Sequence, residues 1–173
     1  MKKRVKIAVV GVGLMGSQHL KAIKISKKAV LHSIVDINKD SSLQAKKFKV
    51  PFYKNTKALL KNNKPDAVIV ATPNQFHEKH SISFLNSKIP LLLEKPISDS
   101  IEKARKIIKS SKKNKTPLLI GYHRRHNPMT SIVKKKIDSG KLGKIVSANV
   151  LCWLYKNKEW YKEKWRTKKG EGL

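Results

Sequence analysis

Gly11-Val12-Gly13-Leu14-Met15-Gly16 directly follows the apolar run Val5–Val10 and opens a polar stretch with apolar residues at helical spacing. Between a strand and a helix, this G-x-G-x-x-G pattern has a physical use. Gly11 permits a tight turn, Gly13 lets backbone approach a diphosphate, and Gly16 lets helix and strand pack closely. Val12, Leu14 and Met15 belong to the same cradle, because free N–H groups and the helix dipole at a helix start favour negative charge. A plain glycine-rich turn is the alternative. Asp36 stands twenty residues beyond Gly16, at the end of the next apolar run. There a carboxylate can accept both ribose hydroxyls of an adenosine and repel a 2′-phosphate. That favours NAD over NADP, although Lys39 nearby softens the preference. A strand-end or helix-capping aspartate is the competing reading. A methyltransferase with another adenosine cofactor would carry the same two features.

Two further loops follow apolar runs. Ala71-Thr72-Pro73-Asn74 ends one, with His77 and His80 in the helix-like stretch beyond it. Asn74 is read as a crevice residue or a helix cap, and the two histidines lack the carboxylate or cysteine cluster that a metal site needs. Glu94-Lys95-Pro96 ends another, immediately after Leu91-Leu92-Leu93. A charged pair there is unexpected on core grounds. Proline fixes the backbone, an X-Pro bond can be cis, and Lys95 would be held in one direction. A lysine partly desolvated beside a cofactor cation can exchange a proton with a substrate hydroxyl. A surface salt bridge is the alternative for this pair.

The elements that must position these residues alternate along the chain. Val5–Val10, Ala29–Val35, Ala67–Ala71, Pro90–Leu93 and Pro117–Ile120 read as buried strands, with Val50–Tyr53 weaker. Leu14–Lys24, Ser42–Phe48, Thr56–Asn62, Asn74–Leu85 and Ser100–Ser110 read as helices. Strands this apolar have both faces covered, and a β-α-β-α order implies a doubly wound parallel sheet. The pattern changes after Gly121. A loop over 122–128 leads to a helix over Met129–Lys136 and then to a long strand expected over Lys144–Tyr155, whose alternation suits an antiparallel sheet with one solvated face. Such a strand cannot satisfy its own edges, so the chain is expected to stop inside a second domain.

Composition narrows the classes. The chain has 173 residues, 39% of them hydrophobic, enough for a core. The apolar runs fall short of the roughly 18–20 residues that cross a bilayer, so a membrane span is not expected. The single cysteine, Cys152, excludes an internal disulfide and suits a reducing, cytoplasmic setting. Met1–Arg4 and the following apolar run have the outline of a signal peptide, but Lys6 and the spaced glycines argue against it. The net charge is +29, from forty Lys and Arg against eleven Asp and Glu, of which only five are Arg. These residues are scattered rather than blocked, and the aromatics (6%) are not interleaved with them, which favours a lysine-rich solvated surface over a nucleic-acid groove.

Together these pieces resemble the Gfo/Idh/MocA oxidoreductase family. Gly11–Gly16, Asp36, Ala71–Asn74 with His77, Glu94-Lys95-Pro96, the segment 121–128, Gly140–Ile145 and Trp165-Arg166 fall in family order. Glu-Lys-Pro at this spacing is the most discriminating of them. The resemblance implies a Rossmann domain over 1–121 and, over 122–173, the start of a C-terminal α/β domain with an open, mostly antiparallel sheet. It implies hydride transfer between NAD(P) and a hydroxyl-bearing carbon of a sugar, polyol or cyclic diol, and a homo-oligomer for the full-length protein. Lys95 matches the active-site lysine that meets substrate and nicotinamide. Glu94, His123, Trp165 and Arg166 match cofactor-lining positions. Arg125 falls where the chain crosses between domains, as a substrate contact or an interdomain ion pair. The helix bearing Asp and His that follows in family members is absent, so the chain is expected to be an N-terminal fragment with little or no turnover. A non-catalytic dinucleotide-binding or sensing module is the second reading.

Overall fold

The structure is a computed structural model that describes residues 3–162 and Thr167. Six parallel strands form one sheet: β1 (Val5–Val10), β2 (Ala29–Val35), β3 (Phe52–Tyr53), β4 (Ala67–Val70), β5 (Leu91–Leu93) and β6 (Leu118–Ile120), in the order β3-β2-β1-β4-β5-β6. The order reverses between β1 and β4, so a crevice opens at the C-terminal ends of those two strands.

Side-chain alternation along the strands divides the core in two. Ala8, Val10, Val35, Val68, Val70, Leu91 and Leu93 point to one face and pack with Leu59, Phe84, Leu85 and Ile107. These last four come from α3 (Thr56–Asn62), α4 (His77–Asn86) and α5 (Ile101–Asn114). Val9, Ile34 and Ile69 point to the other face and meet Leu20, Ile23 and Ala45 of α1 (Leu14–Ile25) and α2 (Ser41–Phe48). Strands covered on both faces explain why they read as continuous apolar runs rather than as alternating ones. Side chains also set helix starts: Asn55 accepts from Ala58 N and Ser100 from Lys103 N.

The helix expected from Asn74 begins instead with a 3₁₀ turn over Asn74–Phe76 and becomes α-helical at His77, with no capping bond from the Asn74 side chain. After β6, a 3₁₀ turn (His123–His126) and α6 (Pro128–Asp138) follow, the latter capped by Asn127, which accepts from Met129 N. The long strand expected over Lys144–Tyr155 is not formed. These residues carry no regular structure, with Val146, Val150 and Trp153 all exposed. A strand is held by its neighbours' backbone groups, and among the described residues none lies alongside this segment to supply them. Among the described residues, only α7 (Lys158–Tyr161) follows.

Candidate active site at the C-terminal edge of the sheet

The strand register brings the sequence-predicted residues to one line. Val35, Val10, Val70, Leu93 and Ile120 sit side by side across β2, β1, β4, β5 and β6. Asp36, Gly11, Ala71, Glu94 and Gly121 each stand one residue beyond that row. Their amides tie the edge together: Gly11 N donates to Val35 O (2.8 Å), Ala71 N to Val10 O (2.8 Å), Glu94 N to Val70 O (2.9 Å) and Gly121 N to Leu93 O (2.7 Å).

The glycine loop has the shape its spacing predicts. Gly11 adopts φ +83°, and a Cβ there would lie 2.9 Å from Ala71 O and Thr72 N of the neighbouring loop. A Cβ at Gly16 would meet Gly11 O at 1.9 Å, so only glycine lets α1 leave the turn this closely. At Gly13 nothing lies within 4 Å of the Cβ position, leaving open space before the helix. The amides of Leu14 and Met15 in the first turn have no backbone acceptor within the helix. The Val12 amide is engaged: it donates to Asp36 Oδ2 at 2.7 Å, while Asn38 N donates to Oδ1 at 2.9 Å. Asp36 thus pins the loop, and each oxygen keeps a further lone pair for a hydroxyl donor. Thr72 Oγ1, beside Gly11, is buried with no partner among the described residues. Open space, free amides, a carboxylate and an orphaned hydroxyl on one edge suit a diphosphate carrying a ribose.

Glu94 is 4% exposed, and its Oε1 lies 2.8 Å from Nε2 of His19 on α1. Gly121 closes over it, since a Cβ there would fall 2.9 Å from Oε1. Lys95 N donates to Glu94 Oε2 at 3.3 Å, and the Lys95–Pro96 bond is cis. Lys95 itself is exposed, not partly desolvated as expected from sequence, because the described residues past the strand end lay nothing over it. His77 is fully buried, with Nδ1 2.9 Å from Pro96 O and Nε2 2.8 Å from Thr72 O, so neither ring nitrogen is free for a ligand. His123 and Arg125 are exposed in the turn after β6. Trp165 and Arg166 lie outside the described residues. His19 was missed. Its position one helical turn past Gly16 was the available signal, because that face of α1 leads back to the strand ends.

A nucleotide-binding Rossmann domain is the class that this sheet order and this edge define. Residues 5–122 match the model of an oxidoreductase family with an NAD-binding Rossmann fold, and the chain belongs to that Gfo/Idh/MocA family. It is 27% identical over 151 residues to inositol 2-dehydrogenase of Corynebacterium glutamicum, covering 84% of this chain and 44% of that one. Scyllo-inositol dehydrogenase from Lactobacillus casei, solved with bound NAD(H) and scyllo-inositol, matches with a TM-score of 0.78 at 25% identity, over 83% of this chain and 43% of that one. WlbA dehydrogenase from Bordetella pertussis, solved with NADH and UDP-GlcNAcA, matches with a TM-score of 0.92 over 99% of this chain and 50% of that one; at 23% identity this is a likeness of fold. The chain spans about half the length of these relatives.

Proposed function

We propose that the full-length protein is an NAD-dependent dehydrogenase acting on a hydroxyl-bearing carbon of a sugar, polyol or cyclic diol. The observation that carries this reading is the shared strand edge, where Gly11, Asp36, Ala71 and Glu94 stand in one line with Lys95 next to it. The amides of Leu14 and Met15, with the space at Gly13, hold the diphosphate. Asp36 accepts the ribose hydroxyls, and Ala71, Thr72, Pro73 and Asn74 line the path toward the nicotinamide. The dinucleotide, when bound, supplies the hydride chemistry at nicotinamide C4. Lys95 orients the substrate hydroxyl and shares its proton. Its exposure fits a site that a second domain closes and dries. Family membership, and relatives named for inositol and sugar substrates, support the substrate class.

The same reading assigns 1–121 to the nucleotide domain and 122–173 to the start of a substrate and oligomerisation domain with a mostly antiparallel sheet. His123, Trp165 and Arg166 then belong to the cofactor lining and Arg125 to the substrate side or the domain boundary. A cytoplasmic homo-oligomer is part of this proposal. Among the described residues no helix is long and apolar enough to cross a membrane.

The test is a panel of polyols and sugars with NAD and the full-length protein. Lys95→Ala is expected to keep dinucleotide binding and lose turnover by the roughly 10²–10⁴-fold typical of a positioned acid–base group. A near-normal rate removes Lys95 from the mechanism. Binding of NADH with no turnover of any CH–OH substrate favours a sensing module instead.

A further inference from the structure

We propose that His19 and His77 are positioning residues that brace Lys95 from the two faces of the sheet. The inference rests on the role proposed for Lys95 above. The residue before Lys95 is held through its side chain: Glu94 Oε1 lies 2.8 Å from His19 Nε2, on α1. The residue after it is held through its backbone: Pro96 O lies 2.9 Å from His77 Nδ1, on α4. These helices pack on opposite faces of the sheet. Lys95 therefore sits between two anchors that share no element.

Neither histidine is an ordinary core residue. His77 is 0% exposed, and both its nitrogens face carbonyl oxygens, Pro96 O and Thr72 O. A carbonyl oxygen only accepts, so the ring N–H donates to one of the two while the ring stays in contact with both. That joins the Thr72 loop, beside the glycine turn, to the Lys95 turn. Glu94 is a buried carboxylate, and the described side chain that meets it is His19. Lys95 N donates to its other oxygen, so the Glu94 side chain also fixes the Lys95 backbone. An exposed, flexible lysine has many rotamers to lose. Fixing its backbone on both sides leaves fewer to lose when substrate arrives, which is what a positioning device supplies.

The ring geometry provides variants that separate contact from burial. In place of His77, asparagine keeps a donor near the Nδ1 position toward Pro96 O, whereas glutamine keeps one near Nε2 toward Thr72 O. In place of His19, glutamine keeps a donor toward Glu94 and alanine keeps none. The experiment measures amide hydrogen exchange in the full-length protein at Lys95, with the β4 amides of Val68–Val70 as an internal reference. His77→Gln and His19→Ala are expected to speed exchange at Lys95 by about fivefold, the factor one net hydrogen bond carries, with the β4 amides unchanged. His77→Asn and His19→Gln are expected to stay near wild type. Equal behaviour of the Asn and Gln variants at 77, or of the Ala and Gln variants at 19, overturns the brace. A variant that unfolds speeds the β4 amides too, and its conservative counterpart then decides. Protection of the Lys95 amine from acetylation by NADH, measured on the wild type, tests the role of Lys95 separately. No protection removes that role while leaving the exchange result to stand or fall on its own.

Discussion

Asp36 does two things at once. It accepts the Val12 amide at 2.7 Å, which shapes the glycine loop, and in the role proposed above its remaining lone pairs meet the ribose. Asp36→Ala is therefore expected to weaken NADH binding by more than the loss of a ribose contact alone, on the order of 10-fold or greater, for about 1.5–3 kcal/mol per charge-assisted bond. Fluorescence titration of NADH against NADPH checks it; tighter NADPH binding by the wild type overturns the role given to this carboxylate. His80 gives a pH effect of known sign. Burial first, then Lys79 and His77, hold its pKa below the ordinary value of 6.5. The folded state thus resists a proton that the unfolded chain accepts, so stability falls as pH drops through and below that value. Urea unfolding from neutral to mildly acidic pH should show this slope, and His80→Asn should flatten it. Asp99 acts lower: the Lys103 hydrogen bond depresses its pKa, so its contribution is present at neutral pH and lost as pH falls through the folded value.

At the scale of elements, the α1 turn and the helix ends respond in opposite directions. Gly16→Ala would place a Cβ 1.9 Å from Gly11 O, a clash with backbone that cannot rotate away. A loss of several kcal/mol is expected, together with loss of NADH binding, since overpacking and loop displacement coincide. Lys115 sits at the C-terminus of α5 with φ 50°, where glycine has no penalty. Lys115→Gly should stabilise the fold by about 1 kcal/mol in urea unfolding, with dinucleotide binding unchanged. The first six helices and all six strands were legible in the sequence because apolar residues recur with the period of each element, as Val68-Ile69-Val70 and Leu59 do. The edge residues were legible because they follow those runs directly. The His19–Glu94 and His77–Pro96 contacts were not, since they join positions far apart in sequence and depend on register. The segment 144–155 misled for the opposite reason: alternation records a face, but a ladder needs a neighbour.

For the molecule as a whole, the surface charge of +29 is spread over exposed helix faces, as along α5 with Arg105, Lys109, Lys112 and Lys113. At physiological salt such charges act over only about 8 Å, so scattered lysines do not sum into one groove. Retention on duplex DNA is expected at low salt and lost by physiological ionic strength. Retention that persists there would reverse the assignment of this charge to solvation. The absence of a side chain at Gly121 has a wider consequence. The chain leaves the sheet while pressed against the Glu94 carboxylate, whose other oxygen receives the Lys95 amide. A rotation of whatever follows residue 121 would lever on that carboxylate and be felt at the Lys95 backbone.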